Sequence, residues 1–63
     1  MDKKEALKIV QESGSDLANL SDKFKKDKDV VLEAIKQDAW SLLYANEKLK
    51  ADKEVVLESV KQN

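Results

Sequence analysis

The chain has 63 residues, with twelve lysines and no arginine against thirteen acidic residues, so its formal net charge at pH 7 is −1. This near balance argues against a nucleic-acid binder of the usual kind, which carries a strong basic excess. The absence of histidine and cysteine removes the usual metal ligands, the commonest general base and the best nucleophile, and it excludes a disulfide framework. With 41% hydrophobic and 40% charged residues, we expect one small globular domain held by its apolar core.

The sequence shows no targeting signal and no membrane span. The N-terminal residues lack the apolar stretch of a signal peptide, and no run of 18 apolar residues occurs anywhere. We therefore expect a cytoplasmic protein that does not enter a membrane. Met1 is followed by a helix-start arrangement, Asp2 with Glu5 three residues later, which is typical of a natural N-terminus.

The predicted elements repeat at a spacing of 25 residues. Residues 22–37 and 47–62 are identical at ten of sixteen positions, and residues 2–12 follow the same pattern more weakly. This predicts one domain over 1–63 with two full units and half of a third, as in stacked helical repeats. The units are 2–26, 27–51 and 52–63.

In chain order the sequence predicts an alternation of long and short helical segments. Aspartates at 2, 27 and 52 each precede an apolar helical pattern, where a carboxylate can accept hydrogen bonds from the first-turn N–H groups. The fold class is therefore all-α, with about five short helices stacked as two and a half repeats in a small solenoid-like bundle. The predicted segments are a helix over 2–12, a shorter helix over 15–20, a helical turn over 22–26, a helix over 28–37, a shorter helix over 40–45, a helical turn over 47–51 and a helix over 53–62.

A residue in the left-handed backbone conformation is expected after each of the first two long helices. Gly14 follows the first long helix, where a glycine commonly ends a helix in the left-handed conformation. Ala39 occupies the same position in the second unit. The sequence therefore predicts that Asp38 takes the left-handed conformation there instead.

Apolar residues of the long helices predict how the units stack. In the middle helix they cover an arc of about 200°, which predicts neighbours on two sides. Glu5 stands at the position of Val30 and gives the first helix the polar flank of a terminal element. The last helix keeps Val55 at that position, so we expect its outer side to be an uncovered apolar strip. The apolar residues of the middle helix are Val30, Val31, Leu32, Ala34 and Ile35.

Residues 22–63, and more loosely 1–21, resemble a known bacterial repeat family. The segments are DKDVVLEAIKQ, AWSLLYAN and EKLKADKEVVLESVKQN, and they are similar to the repeat called domain of unknown function 4116. Ala39 and Asn46 depart from it, since the family often has glycine and serine there. The resemblance implies a helical repeat, often in many tandem copies, that suits a scaffold or binding array. It implies no chemistry, because the family has no established activity.

The acidic and hydroxyl side chains do not form a recognisable catalytic or metal-binding pattern. A calcium loop starting at Asp27 would need a polar ligand at Val31 and glycine at Leu32, so helix capping explains the acid-x-acid pairs better. The serines have no histidine to activate them, and a serine–lysine pair would need a buried neutral lysine. We expect no enzyme activity, no cofactor and no metal.

The segment Lys23–Lys28 contains four lysines with Phe24 among them. Basic and aromatic residues together can bind single-stranded nucleic acid. Aspartates interleave with these lysines, and the chain has no arginine for bidentate phosphate contacts. A solvated turn is the favoured interpretation, and weak nucleic-acid binding stays an alternative.

Trp40 and Tyr44 are four residues apart, which predicts that they share one helix face. The favoured interpretation places them in the core or half in it, with their polar atoms at the rim. Their counterparts in the first unit are Ser15 and Asn19. Because the aromatic pair occurs in one unit only, it could instead be a binding anchor.

These observations predict a non-catalytic interaction or scaffolding module that binds an unknown protein partner or itself, as a monomer or a weak homodimer. The reason is the incomplete stack, which would leave an exposed apolar surface of the kind that marks interaction sites. One alternative is a small structural domain with no binding activity of its own, and the other is the weak nucleic-acid binder. The candidate interaction residues are Trp40, Tyr44, Val55, Val56 and Val60.

Overall fold

The computed structural model describes residues 1–62, the last of them by its backbone alone. Over this range the chain is all-α, as predicted, with seven helices and no strand. Five are α-helices and two, called η, are 3₁₀ helices with three residues per turn. In chain order they are α1 (Lys3–Glu12), η1 (Gly14–Asn19), α2 (Asp22–Lys25), α3 (Lys28–Gln37), η2 (Ala39–Tyr44), α4 (Glu47–Lys50) and α5 (Lys53–Gln62).

The three long helices begin where the aspartates predict. An Asp2 carboxylate oxygen accepts from the Glu5 N–H at 2.9 Å. Asp27 accepts in the same way from the Asp29 N–H at 3.0 Å, and Asp52 from the Glu54 N–H at 2.9 Å. Each bond satisfies an N–H group that has no partner inside its own helix. The predicted N-terminal caps are therefore confirmed.

The two predicted shorter helices are present as 3₁₀ helices, each one residue earlier in the chain than predicted. In a 3₁₀ helix residues three apart lie on one face, because a turn takes three residues. Leu17 and Leu20 follow this spacing, and both are buried. Leu17 within η1 and Leu20 directly after it thus both face the core.

Helix α3 lies at the centre of the molecule. It packs against α1 on one side and against α5 on the other. Val30, Val31, Ala34 and Ile35 are all fully buried. The prediction that this helix has neighbours on two sides is confirmed.

Gly14 does not adopt the predicted left-handed conformation. No residue in the described part of the chain has a positive φ, and Ser13 and Asp38, with φ of −151° and −154°, end their helices in extended backbone. Gly14 is needed for a different reason. A Cβ atom at this position would stand only 2.4 Å from the Ala34 carbonyl oxygen. The missing side chain lets the start of η1 approach the backbone of α3.

Helices α1 and α3 run in the same direction. Their starts are adjacent, because the Lys3 ammonium lies 3.4 Å from the Asp27 carboxylate. Their ends are adjacent too, since Gly14, just after α1, lies against Ala34 and Asp38 at the end of α3. Among the residues that the structure describes, no helix combines the length and the apolar character that crossing a bilayer requires.

Candidate interaction surface

Helix α5 contacts the rest of the molecule through one side only. Val55 is fully buried, and the Ser59 hydroxyl donates to the Ala39 carbonyl at 3.5 Å. Val55 and Ser59 therefore face the preceding unit, as Val30 and Ala34 do in α3. The expectation that Val55 lies on the uncovered strip is wrong, because this position faces inward in both helices. In α1 the same position holds Glu5, which is exposed on the opposite end of the stack.

The uncovered side of α5 carries Val56 and Val60, which directly follow Val55 and Ser59 in the sequence. Val56 is 36% exposed and Val60 is 63% exposed. Their counterparts in α3, Val31 and Ile35, are fully buried. The predicted exposure of the outer side of the last helix is thus correct for Val56 and Val60.

Two further residues at this end of the molecule show the same difference. Leu42 and Leu49 are half-buried, whereas their counterparts Leu17 and Phe24 are buried. Burial is lost at each of these positions only in the last copy of the pattern. We call the four residues of this surface the end face: Leu42, Leu49, Val56 and Val60.

A second exposed apolar surface lies on η2. We call Trp40, Leu43 and Tyr44 the side patch, and these side chains are 68%, 59% and 38% exposed. The interpretation of Trp40 as a core or half-core residue is wrong. Three residues per turn place Leu43 directly above Trp40, and Tyr44 follows Leu43 as the least exposed of the three.

The side patch is not a product of the incomplete stack. Its counterparts in η1 are Ser15, Ala18 and Asn19, and all three are exposed although η2 packs beside η1. These positions therefore point away from the stacking direction. The side patch and the end face are two separate surfaces.

The starts of the long helices are connected by ion pairs that recur at a spacing of 25 residues. The Lys3 ammonium lies 3.4 Å from the Asp27 carboxylate and 2.8 Å from that of Asp29. Lys28 repeats this arrangement at 3.2 Å from Asp52 and 2.8 Å from Glu54. Each acid-x-acid pair thus holds the first lysine of the preceding long helix.

The charges at these starts alter the proton affinities of the groups involved. Hydrogen bonding to Asp29 raises the pKa of Lys3, and hydrogen bonding to Glu54 and Asp52 raises the pKa of Lys28. The Lys3 ammonium lowers the pKa of Asp29. The pKa of Asp52 is also lowered, first by the Val55 N–H that it caps and then by Lys28. The ion-paired forms are therefore the favoured ones at neutral pH.

The structure separates the residues of the Lys23–Lys28 segment. Phe24 is buried, so neither face of its ring is available for a base to stack on. The Lys23 ammonium lies 5.5 Å from the centre of that ring, and Lys28 is engaged with Asp52 and Glu54. The prediction that Phe24 could stack on a nucleic-acid base is therefore wrong.

Chemistry-bearing side chains are few. In the described part of the chain, no three acidic side chains come together in an arrangement that could hold a metal ion. Ser41 is fully buried, and its hydroxyl oxygen has no hydrogen-bond partner among the described residues. Neither observation indicates a reacting centre.

Sequence reasoning missed the paired starts and half of the end face. The signal for the ion pairs was present, since lysines at 3, 28 and 53 recur with acidic pairs at 27/29 and 52/54. Leu42 and Leu49 could be found by asking which positions of a middle unit face the following one. That question needs the stacking direction, which the three-dimensional arrangement supplies.

Comparison with known proteins identifies the family of the chain. No curated protein and no solved structure matches the chain. One family does match, in two overlapping stretches, residues 2–50 and 30–63, which together cover nearly the whole chain. The chain therefore belongs to the family described as domain of unknown function (DUF4116).

Proposed function

We propose that this protein is a non-catalytic interaction module that binds a helical segment of a second polypeptide, either a different protein or another copy of this chain, through the end face. The observation that carries the proposal is the loss of burial at the end face. Val31 and Ile35 are fully buried, whereas Val56 and Val60, at the same positions of the next long helix, are not. A surface shaped to receive a helix inside the stack is thus repeated where no described helix covers it.

The apolar character of the end face supports association. Complete burial of a valine side chain contributes about 1.5 kcal/mol or more. Val56 and Val60 lie four residues apart, so they form one stripe along α5. Such a stripe can receive the apolar side of a partner helix, with half-buried Leu42 and Leu49 beside it.

The side patch is the second candidate surface, favoured by the exposure of the single tryptophan of the chain. It has no buried counterpart that would indicate what covers it. The end face does have one, and we therefore prefer it.

The first experiment measures molar mass by light scattering at about 10 µM and about 500 µM, because association follows mass action. A mass above the monomer value of 7.1 kDa that Val60→Glu returns to the monomer would make the end face the site of self-association. Leu43→Glu is the matched control, because Leu43 is similarly exposed but belongs to the side patch. A mass of 7.1 kDa at both concentrations would exclude self-association and direct the search to a different protein.

The second experiment places a photo-reactive side chain at position 60 or at position 43. Both sites are exposed, so the substitution leaves the core unchanged. If the proposal is correct, the chain with the photo-reactive side chain at position 60 forms cross-links to a defined partner. Cross-links from position 43 alone would transfer the function to the side patch, and no cross-links from position 60 would overturn the proposal.

A further inference from the structure

Lys53 continues the series of lysines that begins with Lys3 and Lys28. Each is the first residue of a long helix. Lys3 and Lys28 both bridge to two carboxylates at the start of the following long helix. Lys53 is exposed, and it makes no ion pair with any other residue that the structure describes.

Lys53 belongs to the same side of α5 as the end face. Residues at 53, 56 and 60 are separated by three and seven positions, which places them along one helix face. The same spacing joins Lys28 to Val31 and Ile35, whose side chains are buried in the stack. Lys53, Val56 and Val60 therefore form one surface with a charged end and an apolar length.

From this arrangement, and resting on the proposed function, we propose that the end face binds a helix of another protein that begins with an acid-x-acid pair and runs in the same direction as α5. The two carboxylates would hold the Lys53 ammonium, as Asp27 and Asp29 hold Lys3. The apolar side of the partner helix would cover Val56 and Val60.

The two helices that already occupy such a position define what the partner needs. In α3, the pair Asp27 and Asp29 is followed by Val30 and then by the small residue Ala34. In α5, Asp52 and Glu54 are followed by Val55 and Ser59. The partner helix therefore needs an apolar residue directly after the acid-x-acid pair and a small residue four positions later. The small residue has a physical reason, since the Ala34 carbonyl lies in close approach to the preceding 3₁₀ helix.

The start of α1 departs from this pattern at three positions. Asp2 is followed by Lys4, Glu5 and Ile9, where α3 has Asp29, Val30 and Ala34. In a head-to-tail stack of two copies, Lys4 would meet Lys53 and the Glu5 carboxylate would be placed against the apolar end face. Like charges at an interface suppress a wrong partner. The partner is therefore a different polypeptide rather than a second copy in this register.

The test uses two forms of the complete chain. The donor is the unchanged protein. The acceptor carries Lys4→Asp, Glu5→Val and Ile9→Ala, which give α1 the partner pattern, and Val60→Glu, which blocks its own end face. Circular dichroism checks folding, and an acceptor that keeps Ile9 replaces the first one if it does not fold. Light scattering of the mixture at about 500 µM each measures complex formation by mass action.

We expect a one-to-one complex of twice the monomer mass of 7.1 kDa. Lys53→Glu in the donor should weaken it about tenfold, because two attractive charge pairs become repulsive. The matched control is Lys8→Glu in the donor, which makes the same charge change at an exposed lysine of α1. This variant should bind the acceptor with unchanged affinity. An acceptor that keeps Lys4 should prefer the Lys53→Glu donor to the unchanged donor.

Other results overturn the inference in distinguishable ways. A complex that is equally tight with lysine or glutamate at position 53 would refute charge selection and leave the proposed function standing. No complex at about 500 µM would refute the acid-x-acid partner under mass action, and the cross-linking from position 60 would then judge the proposed function separately. Self-association that Val60→Glu abolishes and Lys53→Glu leaves intact would identify a second copy as the occupant.

Discussion

Gly14→Ala is expected to destabilise the protein through a steric overlap between η1 and α3. The new Cβ would lie 2.4 Å from the Ala34 carbonyl oxygen, 3.0 Å from the Ser41 hydroxyl oxygen and 3.1 Å from the Asp38 Cβ. The nearest of these atoms belongs to helix backbone, which cannot rotate away as a side chain can. The connection must therefore move outward and loosen the contact with the buried face of α3.

The magnitude follows from two opposing effects. Overfilling a packed interior costs about 1–3 kcal/mol. Replacing glycine lowers the entropy of the unfolded chain and returns about 0.4–1 kcal/mol. The difference between them is a net loss of about 0–2.6 kcal/mol, and the overlap with helix backbone favours its upper part, about 1–2.6 kcal/mol in the free energy of unfolding. A chain of this length has a total of only about 3–9 kcal/mol.

Urea unfolding followed by circular dichroism measures this loss. Ala39→Gly is the matched comparison at the same position of the next unit, where a Cβ is already accommodated, and it should cost only about 0.5–1 kcal/mol. Gly14→Asn distinguishes the two explanations for the glycine. Asparagine tolerates the left-handed conformation but is larger than alanine, so close approach makes Gly14→Asn the less stable variant. The close-approach argument would be refuted if the Gly14→Ala variant were as stable as the unchanged protein. It would also be refuted if the Gly14→Asn variant were more stable than the Gly14→Ala variant.

Three further changes test the caps, the buried hydroxyl and the charges. Asp27→Ala should cost about 0.5–2 kcal/mol by removing the cap of α3, whereas Asp27→Asn should keep most of it; urea unfolding of both compares them, and equal losses would contradict capping. Ser41→Ala should be neutral or stabilising by up to about 1 kcal/mol, because the hydroxyl is buried without a partner, and a clear loss of stability in thermal unfolding would show that this hydroxyl does form a hydrogen bond. The pKa values of Asp29 and Asp52 lie below the usual 3.8, so the unfolded chain binds protons first and stability should fall as the pH drops below about 4. Thermal unfolding across that range checks the sign, and an Asp52→Asn variant with the same pH dependence would show that Asp52 contributes nothing to it.

Sequence reasoning predicts the long helices and their starts well, because apolar periodicity and a capping aspartate are local signals. It does not distinguish 3₁₀ from α geometry in a six-residue helix, and so it does not predict that Leu43 lies directly above Trp40. Glycine has two uses, a left-handed backbone and a close approach, and only the position of Ala34 decides between them at Gly14. Similarly, the width of an apolar arc shows that a helix has two neighbours but not which flank meets which. For this reason the sequence predicts an exposed Val55, which is buried, and does not indicate that Leu42 and Leu49 belong to the end face.

The paired helix starts have a consequence for how the stack can deform. Asp27 and Asp52 each cap their own helix and hold the lysine of the preceding one. Sliding one helix along its neighbour by a single turn, about 5.4 Å, would carry the lysine out of ion-pairing range. The carboxylates therefore favour one alignment of neighbouring helices and resist sliding between them. Such exposed ion pairs nevertheless add little to the free energy of unfolding. High salt should weaken this resistance while the capping bonds keep the helices formed.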